Sequence, residues 1–144
     1  MSNIRIGVIG CGKQGEKHLQ AIAKMENALS VCTDINHELA CCVANQQATT
    51  FAPLEEMLSD ETIGGLIICT PTETHLDLVE RGLKAGKHIL VEKPLASSLA
   101  EVKKSAELER LTKRYVMTGF IYRFSPAFEV AAEMISGSGA DSVL

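Results

Sequence analysis

The fold is decided by the stretch Ile4-Arg5-Ile6-Gly7-Val8-Ile9-Gly10-Cys11-Gly12-Lys13-Gln14-Gly15. Apolar residues cluster over residues 4–9 and predict a buried strand, which three glycines spaced as GxGxxG then break. A helix is expected to follow, over about residues 14–25. A strand, a glycine turn and a helix in this order predict the first unit of a parallel α/β sheet.

The rest of the chain repeats this alternation of predicted strands and helices. Strands are expected at residues 28–32, 50–51, 66–69, 89–91 and 115–119, and helices at residues 37–45, 54–58, 72–85, 99–113 and 126–135. Helix ends are marked by Asn36 as an N-cap, by the capping box Ser98-Leu99-Ala100-Glu101, and by Gly86 as a left-handed C-cap. The pattern predicts a doubly wound parallel sheet with helices on both faces and right-handed crossovers.

Composition narrows the class of protein further. The 144 residues are enough for one domain, with 46% hydrophobic and 22% charged residues. A net charge of −4 argues against nucleic acid as a partner, because phosphate backbones attract basic surfaces. We find no apolar run long enough to span a bilayer and no signal-peptide pattern, so we expect no membrane partner and a cytoplasmic location.

The five cysteines form an odd set without CxxC spacing. This resembles neither a disulfide framework nor a zinc site, so no metal site is predicted. We expect most of them to be small buried apolar side chains. Cys11 lies inside the glycine loop, where a helix N-terminus can activate a thiol, but no neighbouring histidine is present to do so.

The glycine loop predicts a dinucleotide site. Gly10 would allow the tight turn, Gly12 would let the backbone approach a pyrophosphate, and Gly15 would let the helix pack against the strand. Lys13 and Gln14 join these glycines as candidate cofactor contacts, because a helix N-terminus offers free N–H groups and a positive dipole.

Asp34 is the candidate for cofactor selection. It lies 19 residues after Gly15, at the end of the second predicted strand. A carboxylate there accepts hydrogen bonds from a ribose and repels a 2′-phosphate, which favours NAD over NADP. Ile35 follows, so no arginine stands beside it to receive that phosphate. The alternative is that Asp34 is only a turn residue next to a helix.

The turn Thr70-Pro71-Thr72-Glu73-Thr74-His75 follows a predicted strand near the middle of the sheet. We expect Thr70, Pro71, Thr72 and His75 to pass near the nicotinamide half of a bound cofactor. The alternative interpretation of Thr72 is a helix N-cap, and the alternative interpretation of His75 is a surface residue without a functional role. His18, in the first helix, is expected to pack or cap rather than take part in chemistry.

Glu92-Lys93-Pro94 follows the apolar strand at residues 89–91. Both charged side chains would leave the carboxyl end of that strand, where open α/β sheets bind ligands, and the proline stops the ladder. A lysine held there favours a chemical role. The alternative is an exposed salt bridge at a strand end.

Taken together, these motifs resemble one family. The glycine loop, Asp34, the Thr-Pro turn with His75 and the Glu-Lys-Pro strand end look like the N-terminal domain of the Gfo/Idh/MocA oxidoreductases, the glucose–fructose oxidoreductase and inositol dehydrogenase group. The run Tyr122-Arg123-Phe124-Ser125-Pro126 matches that family's pattern after the sixth strand. The pair Gly64-Gly65 departs from it, since an acidic residue usually stands there, and we expect this to affect only a turn.

The resemblance implies an NAD-binding Rossmann domain over residues 1–135 and hydride transfer at a hydroxyl carbon of a sugar, cyclitol or polyol. Lys93 would then be catalytic, between the nicotinamide and the substrate hydroxyl. Glu92 would hold the lysine or contact the ribose, and Arg123 would join the cofactor contacts. Pro94 makes a cis Lys93–Pro94 bond possible.

The resemblance also implies a second α/β domain carrying substrate contacts and an Asp/His catalytic pair. Residues 136–144 would be a linker into that domain, so we expect a truncated chain that is weakly active or inactive alone. A binding module for sensing or scaffolding is the main alternative, and a methyltransferase is a weaker one. The apolar residues Phe120, Ile121, Phe124 and Phe128 would be left exposed, which predicts a homo-oligomer.

Overall fold

The computed structural model describes residues 4–137, without the side chains of residues 136 and 137. Its strands form one parallel sheet: β1 (Ile4–Ile9), β2 (Ala28–Thr33), β3 (Thr50–Phe51), β4 (Ile63–Ile68), β5 (His88–Val91) and β6 (Val116–Thr118). The strand order is β3-β2-β1-β4-β5-β6. The doubly wound parallel sheet that the sequence predicts is therefore confirmed. The order reverses between β1 and β4, which is where such sheets form a crevice at their carboxyl ends.

Helices connect the strands at the predicted places. They are α1 (Lys13–Ile22), α2 (His37–Gln46), α3 (Leu54–Ser59), α4 (His75–Lys84), α5 (Leu99–Thr112) and α6 (Pro126–Gly137). The Asn36 side chain accepts from the N–H of Leu39, and Ser98 and Glu101 form the predicted capping box. Gly86 adopts a φ of +76° after α4. Short-range capping signals thus placed three of the helix ends.

Two local predictions are wrong. Thr72 does not cap α4, because Pro71 is followed by a short 3-10 helix, Thr72–Thr74, in which the N–H of Thr74 bonds the Pro71 carbonyl. Gly64 and Gly65 do not form a turn, because β4 already begins at Ile63. Gly65 pairs with Ile6 and Ile63 pairs with Arg5, so Gly64 is the extra residue of a bulge in β4.

The C-terminal ends of two helices, α1 and α6, also differ from prediction. Helix α1 ends at Ile22 instead of near residue 25, and α6 extends through Gly137, two residues beyond the predicted end. The remainder of the predicted linker, residues 138–144, lies outside the described residues. None of these differences moves the carboxyl ends of the strands.

The core lies on both faces of the sheet. On one face, Met57 of α3 and Val79 and Leu83 of α4 pack against apolar residues of β4 and β5. On the other face, Leu19 of α1 and Val43 of α2 pack against the side chains of β1 and β2. This second layer does not continue over β6, where Met117 is half exposed.

The segment after β6 carries a row of exposed apolar side chains. Phe120, Ile121, Phe124 and Phe128, which the sequence predicts to be exposed, are each 46–63% exposed. Helix α6 packs mainly against the 3-10 helix Ile121–Phe124 that precedes it. Among residues 4–137, no helix has both the length and the apolar character to cross a membrane.

Candidate functional site

The glycine loop joins β1 to α1 at the carboxyl edge of the sheet. Gly10 has a φ of +93°, a conformation that other residues rarely adopt, and a Cβ on Gly15 would lie 1.8 Å from the Gly10 carbonyl oxygen. A Cβ on Gly12 would meet no atom of the described residues within 4 Å. Gly10 and Gly15 are therefore required by the fold itself, whereas Gly12 faces open space.

The N-terminus of α1 is available to a ligand. Gly12 precedes the helix, and no side chain caps the first turn. Lys13 and Gln14, at the start of the helix, are both exposed. Uncapped N–H groups and the positive end of the helix dipole make this position suited to a phosphate.

Asp34 follows β2 and contacts the loop directly. Its Oδ2 accepts from the N–H of Cys11 at 2.7 Å, and its Oδ1 accepts from the N–H of Asn36 at 2.8 Å. The bond to Asn36 is that of a turn residue, and the bond to Cys11 ties the carboxylate to the glycine loop. Each carboxylate oxygen keeps a further lone pair, so a ribose hydroxyl can still be accepted. Ile35 beside it is fully exposed.

The turn after β4 is held together by its own hydroxyls and by a buried histidine. The Thr74 hydroxyl lies 2.7 Å from both the Thr70 hydroxyl and the Pro71 carbonyl. His75 is only 1% exposed, so its interpretation as a surface residue is wrong. Its Nε2 lies 2.9 Å from the Thr70 carbonyl and its Nδ1 lies 2.8 Å from the Pro94 carbonyl.

The Glu-Lys-Pro strand end is adjacent to this histidine. Glu92 follows β5, and its Oε1 pairs with Nε2 of His18 at 3.0 Å. The Lys93–Pro94 peptide bond is cis. Within residues 4–137, the exposed Lys93 ammonium has no hydrogen-bond or ion-pair partner, so the salt bridge considered as an alternative does not include Lys93. The ion pair at this strand end joins Glu92 to His18.

A cavity of about 890 Å³ lies between the start of α1, the Glu-Lys-Pro strand end and the segment around α6. Its lining includes Gln14 from the start of α1, Glu92 and Lys93 after β5, and Arg123 before α6. Phe120 and Phe128 supply apolar walls. Gly12, Asp34, Thr70 and Thr72 lie outside this lining, in the segments after β1, β2 and β4, and so does His75, the first residue of α4. The candidate residues therefore follow the carboxyl edge of the sheet, and a subset surrounds the cavity.

Cys11 and Cys69, near the loop, are poorly suited to nucleophilic chemistry. A hydrogen bond with the Cys32 thiol and burial raise the pKa of Cys11, which is 2% exposed. Burial, with a smaller effect of the Glu92 charge, raises the pKa of Cys69 to about 12. Among the described residues, no three His, Cys, Asp or Glu side chains are grouped to hold a metal ion.

Comparison with known proteins agrees with this geometry. The sequence model of the Gfo/Idh/MocA oxidoreductases, described as an oxidoreductase family with an NAD-binding Rossmann fold, matches residues 4–120. The chain belongs to this family. It carries the NAD-binding Rossmann domain of the Gfo/Idh/MocA proteins, and NAD is the cofactor of that domain.

Three relatives illustrate the range of the family. The chain is 32% identical over 133 residues to an inositol 2-dehydrogenase of Rhizobium meliloti, covering 92% of this chain and 40% of that protein. It is 30% identical over 129 residues to a 4-carboxy-2-hydroxymuconate-6-semialdehyde dehydrogenase of Sphingobium, covering 88% and 41%. The solved structure of a candidate myo-inositol dehydrogenase from Sinorhizobium meliloti has a TM-score of 0.86 and 31% identity, covering 94% and 41%. The chain thus spans about two fifths of the length of these relatives.

The residues present fit a dinucleotide. Gly12 leaves open space over the uncapped start of α1, and Asp34 keeps lone pairs at the end of β2. Sequence reasoning missed the pairing of His18, which was expected only to pack or cap. The available signal was spacing: His18 lies four residues after Gln14, which places both on one side of α1.

Proposed function

We propose that the chain binds NAD along the carboxyl edge of the sheet and forms the nicotinamide half of a site for hydride transfer. The substrate would carry a hydroxyl carbon, as in a sugar, a cyclitol or another polyol. The bound nicotinamide would supply the hydride acceptor or donor. The observation that carries the proposal is the Lys93 ammonium, which has no partner among residues 4–137 and lines the 890 Å³ cavity together with Gln14 of the glycine-loop helix.

The adenosine end of the cofactor would be selected at Asp34. Its carboxylate would accept hydrogen bonds from the ribose hydroxyls and repel a 2′-phosphate. The pyrophosphate would lie over Gly12, against the N–H groups at the start of α1 and near the Lys13 side chain. The Thr70-Pro71-Thr72 turn would flank the cofactor beyond the switch point of the sheet. These roles favour NAD over NADP.

The reacting end would be organised around Lys93. An ammonium next to the substrate oxygen would hold the hydroxyl in place and stabilise the negative charge that develops on it as the hydride leaves carbon. Glu92 would hold the strand end or accept from the nicotinamide ribose. Arg123, which also lines the cavity, would contribute a second positive charge near the cofactor.

Titration of the purified chain with NADH and with NADPH tests the binding part of this proposal. We expect saturable enhancement of nicotinamide fluorescence with NADH and at least tenfold weaker binding of NADPH. Lys93→Met should weaken NADH binding, whereas Lys103→Met, on the exposed surface of α5, should not. A folded chain that binds neither dinucleotide would disprove the proposal, and saturable binding of S-adenosylmethionine in their place would favour a methyltransferase.

The principal alternative is a dinucleotide-binding module that senses or scaffolds without catalysis. Steady-state assays with NAD and a panel of inositols, aldoses and linear polyols separate the two. Hydride transfer that disappears in Lys93→Met would exclude a purely binding role. Tight NADH binding without turnover on any member of the panel would favour the module.

We further propose that a second copy of this chain covers the exposed residues Phe120, Ile121, Phe124 and Phe128. Contiguous exposed apolar side chains of this kind commonly mark a protein–protein contact. A cytoplasmic location and the lack of nucleic-acid or membrane partners stay predictions from composition. Light scattering after size exclusion tests the oligomer, and a monomer at high concentration would disprove it.

A further inference from the structure

Two histidines hold the residues on either side of Lys93. His18, from α1, pairs with the carboxylate of Glu92 at 3.0 Å. His75, the first residue of α4, lies 2.8 Å from the carbonyl oxygen of Pro94. The side chain of Lys93 lies between these two anchored residues in the chain and has no partner among residues 4–137.

The buried ring of His75 connects two turns of the sheet edge. One ring nitrogen faces the Thr70 carbonyl after β4, and the other faces the Pro94 carbonyl after β5. Carbonyl oxygens only accept, so each hydrogen bond needs an N–H on the ring. A neutral ring donates to one carbonyl, whereas a ring protonated on both nitrogens donates to both. In both forms, a hydrogen bond donated by the ring holds at least one of these turns against α4.

His18 connects the same strand end to α1, the helix that follows the glycine loop. The His18 and Glu92 side chains are 25% and 12% exposed, so their hydrogen bond is largely shielded from water. The other Glu92 oxygen accepts from the N–H of Lys93 at 3.4 Å. His18 belongs to the same helix as Gln14, and Gln14 shares the cavity with Lys93. The pair therefore links the start of α1 to the lysine across 74 residues of sequence.

We propose that His18 and His75 are positioning residues that fix the Lys93 turn between the glycine loop and the Thr70 turn. The contribution of the two histidines to catalysis rests on the proposed function, because it requires Lys93 to face the nicotinamide. Their contribution to the order of the turn does not depend on the proposed function. The competing explanation is that His75 merely fills the core and that His18 forms an ordinary surface ion pair.

Hydrogen exchange tests the structural part without any cofactor. In His18→Leu and His75→Phe, we expect amides within residues 92–98 to exchange at least tenfold faster, while peptides from β1 and β2 keep their protection. His18→Gln and His75→Gln are the matched controls, because each retains one donor for its partner. Unchanged protection in His18→Leu, at a side chain that is 25% exposed, would overturn the proposal even if His75→Phe fails to fold.

A double-mutant cycle tests whether the histidines act through Lys93. NADH affinity is measured in the wild type, Lys93→Met, His18→Leu and the double variant. We expect Lys93→Met to weaken NADH binding about tenfold in the wild-type background and less than about threefold in the His18→Leu background. The reason is that a misplaced lysine contributes less to binding, so its removal costs less. Additive losses would overturn the positioning role. A folded wild type that does not bind NADH would instead refute the proposed function. The hydrogen-exchange experiment would then decide whether the histidines position the Lys93 turn.

Discussion

The two lateral sides of the sheet, one around β1 and β2 and the other around the edge strand β6, differ in how fully helices cover their faces. Around β1 and β2, helices α1 and α2 pack on one face and side chains of α3 pack on the other. Around β6, only one face is packed, and apolar residues from Met117 to Phe128 stay exposed. The covered side holds its candidate groups through backbone geometry. The open side presents free side-chain ends to a cavity.

This difference separates two kinds of functional residue. Gly10, Gly15 and Asp34 belong to the first kind, because each is fixed by a left-handed φ, a close contact or two backbone hydrogen bonds. Lys93 and Arg123 belong to the second, because both are exposed and line the cavity. Substitutions of the first kind of residue should therefore change stability and binding together, whereas substitutions of the second kind should change binding or turnover alone.

The largest expected effect is at Gly15. A Cβ there would lie 1.8 Å from the Gly10 carbonyl oxygen, so Gly15→Ala must displace the backbone of the glycine loop. We expect the free energy of unfolding to fall by about 3 kcal/mol or more and NADH binding to be lost. Urea denaturation followed by circular dichroism, with a parallel NADH titration, measures both effects.

Gly12→Ala is the matched control, because its Cβ would meet no atom of residues 4–137 within 4 Å. We expect its stability to change by less than about 1 kcal/mol while NADH binding weakens, since the methyl group would occupy the space proposed for the pyrophosphate. Equal losses of stability in the two variants would contradict the assignment of separate roles to these glycines.

The next effect concerns cofactor choice at Asp34. Asp34→Ala should weaken NADH binding about tenfold to a hundredfold, because ribose hydrogen bonds to a charged acceptor are lost. Adding Ile35→Arg places a guanidinium where it can receive a 2′-phosphate, so the double variant should bind NADPH better than the wild type does.

The ratio of NADH to NADPH affinity is the informative measurement here. Asp34 also accepts from the N–H of Cys11, so its loss will disturb the glycine loop and weaken both cofactors. Only the lost discrimination against the 2′-phosphate changes the ratio. A ratio that stays constant across the single and double variants would refute the role of Asp34 in selecting NAD.

Much of the fold was predictable because its signals are local. The GxGxxG spacing, the Ser98–Glu101 capping box and Gly86 each act within a few residues, and all three appear in the structure as expected. Thr72 was misjudged because two local preferences compete there. A threonine before a helix favours an N-cap, but the i→i+3 bond from Thr74 to Pro71 forms a 3-10 turn first.

The candidate site was predictable only in part, because its contacts are not local. His18 and Glu92 are 74 residues apart. The spacing from Gln14 places His18 on the ligand side of α1, but it does not identify Glu92 as the partner. His75 could be placed in the first turn of α4, but its burial depends on the Pro94 carbonyl from a different turn. Sequence spacing gave the residue types at the edge of the sheet, whereas the packing of that edge decided which of them meet.

A smaller effect is expected on the open side of the sheet. Phe128→Ser should weaken self-association at least tenfold, because it removes an apolar side chain from the exposed surface proposed to bind a second copy. Met25→Ser removes a similarly exposed apolar residue that follows α1, and it should leave the oligomer unchanged. Light scattering over a concentration series distinguishes them. Equal weakening by both would show that association is non-specific.

The smallest effect is a pH dependence at Cys69. Its pKa is raised from 9.0 to about 12, chiefly by burial, so the folded thiol stays protonated while an unfolded one ionises. Stability from this group is complete below pH 9 and is lost as the pH rises toward 12. Between pH 8 and pH 10 the unfolding free energy of the wild type should fall by about 1 kcal/mol more than that of Cys69→Ala. Cys42→Ser, which replaces an exposed thiol, should retain the wild-type pH dependence. Parallel pH curves for the wild type and Cys69→Ala would show that water reaches this thiol. Cys69, the residue that follows β4, would then lie outside the buried core of the covered side.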